Sequence, residues 1–195
     1  MKNFLIKNLN LPRISLFLLL LGLSLYGQNA LAKDAVIEEL IVTNSKNDIL
    51  LFMDVTNAFT KEMEEGVRNG MPVSFTFFVE LYRNRSGWLD QDLVDLEFDH
   101  TLTYDILKEE YSVFRSEVKG QSFKTKSLAE AKTCMATLNG LAVAPLSILM
   151  PNEEYLLKVK AKLAEKKLPL YFHYVIPFLS LWDFETEWYS VKFRY

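Results

Sequence analysis

MPVSFTFFVELY (Met71–Tyr82) and VDLEFDHTLTYD (Val94–Asp105) are the two stretches whose reading decides the fold. Val73, Phe75, Phe77, Val79 and Leu81 fall on one face by the two-residue period of a strand, and Val94, Leu96, Phe98, Leu102 and Tyr104 repeat the pattern on the way back. The opposite face of the return run carries Asp95, Glu97, Asp99, Thr101, Thr103 and Asp105, so one side meets a core and the other meets water or a partner. The connection Arg83-Asn84-Arg85-Ser86-Gly87-Trp88 is short, and a long antiparallel pair is expected.

Outward from this pair the chain stays rich in strands. AVIEELIVTN (35–44) and DILLFMDVT (48–56) flank the turn-forming Ser45-Lys46-Asn47 and read as an opening hairpin. A short helix over 59–68 follows, with Thr60 as its cap, Phe59, Met63 and Val67 as its apolar stripe, and Asn69-Gly70 as its stop. Beyond the central pair, Tyr111–Glu117 reads as another strand and Lys119–Ser122 as a turn. Ser127-Leu128-Ala129-Glu130 is a capping box for a second helix, whose core face is Leu128, Ala131, Met135 and Leu138 and which Asn139-Gly140 is expected to close. Leu141–Met150 is extended and bent at Pro145, and Tyr155–Leu163 alternates cleanly, with Lys158, Lys160 and Lys162 on its polar face. Leu168–Trp182 is almost wholly apolar but broken by Pro169 and Pro177, and a last strand occupies 185–195.

Eight or nine strands and two short helices predict a mainly β domain, an antiparallel sandwich or open barrel. The alternative is an α+β single sheet backed by the two helices. The lysine row and the acidic row Asp95, Glu97, Asp99 share one spacing, which predicts neighbouring strands joined by cross-strand ion pairs. The rival reading makes the lysines a separate basic stripe for an anionic partner.

The first 32 residues have the parts of a secretory signal: Lys2, Lys7 and Arg13 lead, Ile14–Leu25 is apolar, and Ala30-Leu31-Ala32 is a small-x-small cleavage site. About twelve apolar residues fall well short of the roughly 20 that a spanning helix needs. Cleavage between Ala32 and Lys33 is therefore expected, leaving residues 33–195 as one β-rich domain, periplasmic if the source is Gram-negative, with no transmembrane segment. The 22 basic and 25 acidic side chains give a net charge of −3, and loss of the leader's three basic residues takes it to −6, which argues against nucleic acid. Cys134 is the one cysteine, so no internal disulfide forms, and it reads as a small apolar residue of the second helix.

Catalytic signatures are missing. No G-x-S-x-G, H-E-x-x-H, C-x-x-C, phosphate loop or dinucleotide fingerprint occurs. His100, with Asp99 beside it and Tyr104 on its own face, is the best base, but Asp99 projects from the other face, so a hydrogen-bonded core or rim histidine is expected; His173 is read alike. Asp90, Asp92, Asp95 and Glu97 fail the calcium-loop pattern, because Val94 and Leu96 stand where a ligand and the glycine belong. No metal and no cofactor are expected. Arg83 and Arg85, two apart and next to Trp88, form a candidate clamp for carboxylate or phosphate with a stacking wall; the bland reading is a solvated turn with arginine packed on tryptophan.

Gly70-Met71-Pro72-Val73, Arg83-x-Arg85 with Trp88-Leu89-Asp90, Leu102-x-Tyr104, Tyr111, Ser127-Leu128-x-x-Ala131, Leu168-Pro169, and Trp182 with Glu187-Trp188 span most of the mature chain. In order and spacing they resemble an uncharacterised bacterial extracytoplasmic family, domain of unknown function 4390. The stretch between Pro169 and Trp182 is more aromatic than the family pattern. The resemblance brings no activity and no catalytic residues; it implies a secreted single domain, and its members are often encoded near sensor-kinase genes, which points to envelope signalling. The expectation is a non-catalytic protein-binding module, not an enzyme, with Arg83, Arg85, Trp88, Phe178, Trp182, Lys158, Lys160 and Lys162 as candidate binding residues. One alternative is a carrier or sensor of an apolar ligand lined by Phe75, Phe77, Phe98 and the Leu168–Trp182 segment. The other is a hydrolase using His100 and nearby carboxylates.

Overall fold

The computed structural model describes residues 34–85, 87, 89–120, 122–164 and 185–195. The leader and its cleavage site, Trp88, and the segment carrying Leu168–Trp182, His173 and Phe178 lie outside the described residues. The opening hairpin is β1 (Val36–Asn44) and β2 (Asp48–Thr56), closed by Ser45, whose hydroxyl accepts from the Asp48 N–H at 2.9 Å. In α1 (Lys61–Arg68) the Thr60 hydroxyl accepts from the Met63 N–H at 3.2 Å. Asn69 returns its N–H to the Glu65 carbonyl, and Gly70 takes a left-handed φ of +84°, the stop that the sequence predicts.

β3 (Val73–Arg83) and β4 (Gln91–Asp105) form the long antiparallel pair, Phe77 opposite Phe98 and Phe75 opposite His100. The five inward residues of β3 are buried, as are Phe98, His100 and Leu102 of β4, while Asp95, Glu97, Asp99, Thr103 and Asp105 are exposed. β5 (Glu110–Arg115) pairs with β4, and β6 (Phe123–Thr125), a three-residue strand that its sequence does not announce, pairs with β5.

The next helix, α2 (Leu128–Ala136), differs from expectation at both ends. Ser127 Oγ accepts from the Glu130 N–H at 3.3 Å, but the return bond of a capping box is routed through Thr125. The Ser127 N–H donates to Thr125 Oγ1 at 3.0 Å, and that hydroxyl donates to Glu130 Oε2 at 2.6 Å. Asn139-Gly140 does not close the helix. The chain passes from Ala136 directly into β7 (Thr137–Pro145), where Leu138 and Asn139 already pair with Met53 and Phe52 of β2. Gly140 is the extra residue of a β-bulge, at φ +75° and against the Phe52 ring, so pairing with β2 takes the backbone groups that another helical turn would have used. A 3-10 turn (Leu146–Ile148), β8 (Glu154–Leu163) and β9 (Tyr189–Arg194) complete the described chain.

Among the described residues nine strands make two antiparallel sheets, β1-β2-β7 and β6-β5-β4-β3-β8-β9, one of them curled into a half-barrel. The mainly β expectation holds, and two sheets replace the single-sheet alternative. Inward residues of both sheets, with Met63 and Val67 of α1 and Ala131 and Met135 of α2, join one apolar core. Tyr155, Leu157, Val159 and Ala161 of β8 belong to it and are fully buried, which is what the clean alternation of that strand encodes.

Candidate functional site

Three places gather the side chains singled out above. His100 projects inward from β4 and is 0% exposed, its ring 4.6 Å from that of Phe77. Nδ1 lies 2.9 Å from the Met135 carbonyl, in the last turn of α2, and Nε2 lies 3.0 Å from Glu117 Oε1. A carbonyl only accepts, so Nδ1 donates. Burial, the largest influence on the Glu117 carboxyl, pushes its pKa up, but the His100 hydrogen bond and charge, the Glu117 backbone N–H and Arg115 together hold it below the usual carboxylate range. Nε2 shares the second hydrogen bond with that carboxylate. The result is a buried ring that caps the last turn of α2 and pins the turn after β5. Asp99, the sequence neighbour, instead faces outward and accepts from Thr76 Oγ1 at 2.7 Å. With both nitrogens engaged in the core, the ring has no free edge to offer a substrate.

The second place is the turn after β3. Arg83 Nη2 donates to Gln91 Oε1 at 2.5 Å, and Arg85 Nη2 donates to the same oxygen. Arg83 also reaches Met150 Sδ, while Asn84 Nδ2 donates to Glu154 Oε2 at 2.6 Å. Two guanidinium groups thus converge on one neutral acceptor, and among the described residues neither has a carboxylate partner. Like charges this close are held by geometry rather than attraction, and their remaining N–H donors suit a planar carboxylate or a phosphate.

The third place is the outer face of the six-stranded sheet. The acidic and lysine rows do share one sheet and one face, but β3 runs between them: Thr76, Phe78 and Glu80 face Asp99, Glu97 and Asp95 on one side and Lys162, Lys160 and Lys158 on the other. Two strand spacings, about 10 Å, separate the rows, so the cross-strand ion pairs expected from the sequence do not form. The lysines find other partners. Lys158 Nζ lies 4.8 Å from the Tyr82 ring centroid, Lys162 Nζ 5.1 Å from that of Phe78, and Lys160 pairs with Glu185 beside the Trp188 ring. Tyr82 donates to Glu80 Oε2 at 2.7 Å; that bond, with burial and the charges of Glu80, Asp92 and Asp95, pushes the phenol up to about 12.

Two further features are plainer. An open groove of about 480 Å³ lies along α2, lined by Arg115, Phe123, Ala129, Cys134 and Asn139 among others. Burial pushes the Cys134 thiol up, opposed by Arg115 and aided by Glu117. Phe75, Phe77 and Phe98 sit ring against ring with Phe59 and His100 in the core. Among the described residues no group of three or more His, Cys, Asp or Glu side chains is gathered to hold a metal; Asp95 and Glu97 string out along β4 instead of converging. Of the candidate binding residues, Arg83 joins Arg85, and Lys158, Lys160 and Lys162 share one face, whereas Trp88, Phe178 and Trp182 lie outside the described residues. Glu117 is the residue that sequence reasoning missed.

A family model described as "Domain of unknown function (DUF4390)" matches residues 32–192. No curated protein and no solved structure matches the chain.

Proposed function

We propose a reading that starts from one premise: the chain belongs to the DUF4390 family. It is a non-catalytic β-rich module that is exported through its N-terminal leader, works in the periplasm and binds a protein partner. Envelope signalling through a sensor kinase is the setting that the family resemblance implies. The observation that carries the reading is the arginine pair at the β3 turn, two converged guanidinium groups that end on a neutral amide oxygen. A carboxylate of an acidic partner segment replaces that contact with charge-assisted, bidentate bonds, about twice as strong as neutral ones. The enzyme reading loses its best residue to the core, because His100 is buried with both nitrogens bonded. No helix among the described residues is long and apolar enough to cross a membrane.

The Arg83→Ala/Arg85→Ala protein tests the reading. Wild type and variant are used to capture partners from the envelope fraction, with melting curves in parallel. Capture of a discrete envelope protein by the wild type, and its loss in a variant with a nearly unchanged melting temperature, is the expected result. Equal capture by both proteins would sink the arginine anchor. N-terminal sequencing of the exported protein should read from Lys33; a native start at Met1 in a membrane fraction contradicts the periplasmic assignment.

A further inference from the structure

We infer that the outer face of the six-stranded sheet is an interface for a second copy of this chain, related by a two-fold axis that runs parallel to β3 in the plane between the two copies. This stands apart from the arginine pair, which lies at the turn. Asp95, Glu80 and Lys158 occupy one rung across β4, β3 and β8; Glu97, Phe78 and Lys160 occupy the next, and Asp99, Thr76 and Lys162 the third. All nine side chains leave the same face, two residues apart along each strand. Each charged row lies about 5 Å to one side of β3. A half-turn about that axis, directly above β3, exchanges the rows and leaves every rung at its own height.

A second copy laid face to face by that rotation sets Asp95 against the other copy's Lys158, Glu97 against its Lys160 and Asp99 against its Lys162, twice over. A two-fold axis across the strands would instead set acid on acid. The chosen axis therefore makes the face complementary to itself, which an isologous interface requires. Within one copy the rows stand too far apart to touch, and Asp95, Glu97, Lys158 and Lys162 have no ion pair among the described residues. Two copies supply those partners. Phe78 and Tyr82 of the axial row are half-buried, with Lys162 and Lys158 of the same copy over their rings, so the lysine charges stand close to the axis. Glu80, the carboxylate of the axial row, is held by the Tyr82 hydroxyl and has Lys158 opposite it.

Sedimentation velocity tests this with two triple variants: Lys158→Glu/Lys160→Glu/Lys162→Glu makes both rows acidic, and Asp95→Lys/Glu97→Lys/Asp99→Lys makes both basic. The wild type should dimerise in low salt and dissociate as salt approaches about 1 M, where screening acts within roughly 3 Å. Each variant alone should be monomeric, and an equimolar mixture of the two should form the heterodimer. If a triple variant fails to fold, judged by circular dichroism, the central-rung variants Glu97→Lys and Lys160→Glu carry the same comparison. A wild type that stays monomeric in low salt at roughly 1 mM, where even a millimolar Kd populates the dimer, overturns the inference. So does a dimer that is indifferent to every reversal.

Discussion

His100→Ala should destabilise the fold by about 3–5 kcal/mol, the range for truncating a large buried ring to alanine. Three losses act together. The ring leaves a void beside Phe77 and Phe98, whose centroids lie 4.6 and 6.0 Å from its own. The Met135 carbonyl at the end of α2 loses its donor, and Glu117 keeps a charge on a side chain only 14% exposed, whose Oε2 already has no hydrogen-bond partner. At about 2–4 °C per kcal/mol for a domain of this size, Tm falls by roughly 6–20 °C. Glu117→Gln keeps the volume and its amide can accept from or donate to Nε2, so it costs less, about 1–2 kcal/mol. It also changes the response to acid. The folded-state pKa of Glu117 lies below its unfolded value, so its contribution is full above the ordinary carboxylate range and is lost as pH falls through the folded value. Denaturant melts across the acid range should show that loss in the wild type and less of it in Glu117→Gln. His100→Leu/Glu117→Leu, which removes both polar partners together, should recover much of the stability lost in His100→Ala. A His100→Ala protein that melts within about 2 °C of wild type refutes the buried pair. If that same protein has also lost its cellular activity, a catalytic histidine returns.

Gly140→Ala should cost about 1–2 kcal/mol, because φ is +75° and the added methyl meets the Phe52 ring at 3.5 Å; chemical denaturation measures it. Thr60→Ala removes the acceptor for the Met63 N–H and should lower stability by about 1 kcal/mol in the same assay. Tyr82 should titrate near pH 12 in an absorbance titration that Tyr82→Phe makes assignable, later than an ordinary phenol. The raised pKa makes its contribution full below the unfolded phenol value and lost as pH rises through the folded one. Cys134 should react with a thiol reagent at neutral pH more slowly than a free cysteine, because burial disfavours its thiolate; equal rates contradict that placement.

The strands were legible because each buries one face. Every position that the two-residue period assigns to the core from Val73 to Leu81 in β3 and from Tyr155 to Ala161 in β8 is buried, although in β3 the polar Ser74 and Thr76 between them are buried too. The α1 cap was legible for a local reason: Thr60 and Met63 are three residues apart, and their bond depends on nothing distant. The same Asn-Gly signal succeeded at Asn69-Gly70 and failed at Asn139-Gly140. A left-handed glycine serves a helix stop and a β-bulge equally, and only the presence of β2 alongside β7 selects the second use.

What stayed hidden is what strand order decides. Equal spacing of acids and lysines was correctly read as membership of one sheet face, yet nothing in either row says that β3 runs between them, because Thr76, Phe78 and Glu80 are compatible with either neighbour. That one insertion changes the chemistry of the face: adjacent rows would neutralise each other within a single copy, whereas rows held about 10 Å apart leave charges that a second surface can satisfy. Glu117 was hidden for the same reason. It lies seventeen residues beyond His100 in sequence, in the turn after β5, and reaches the ring only because β5 folds back along β4 with Arg115 opposite His100. Local pattern thus finds the histidine, its face and its burial, while the groups bonded to its two nitrogens come from α2 and from beyond β5, where long-range pairing alone delivers them.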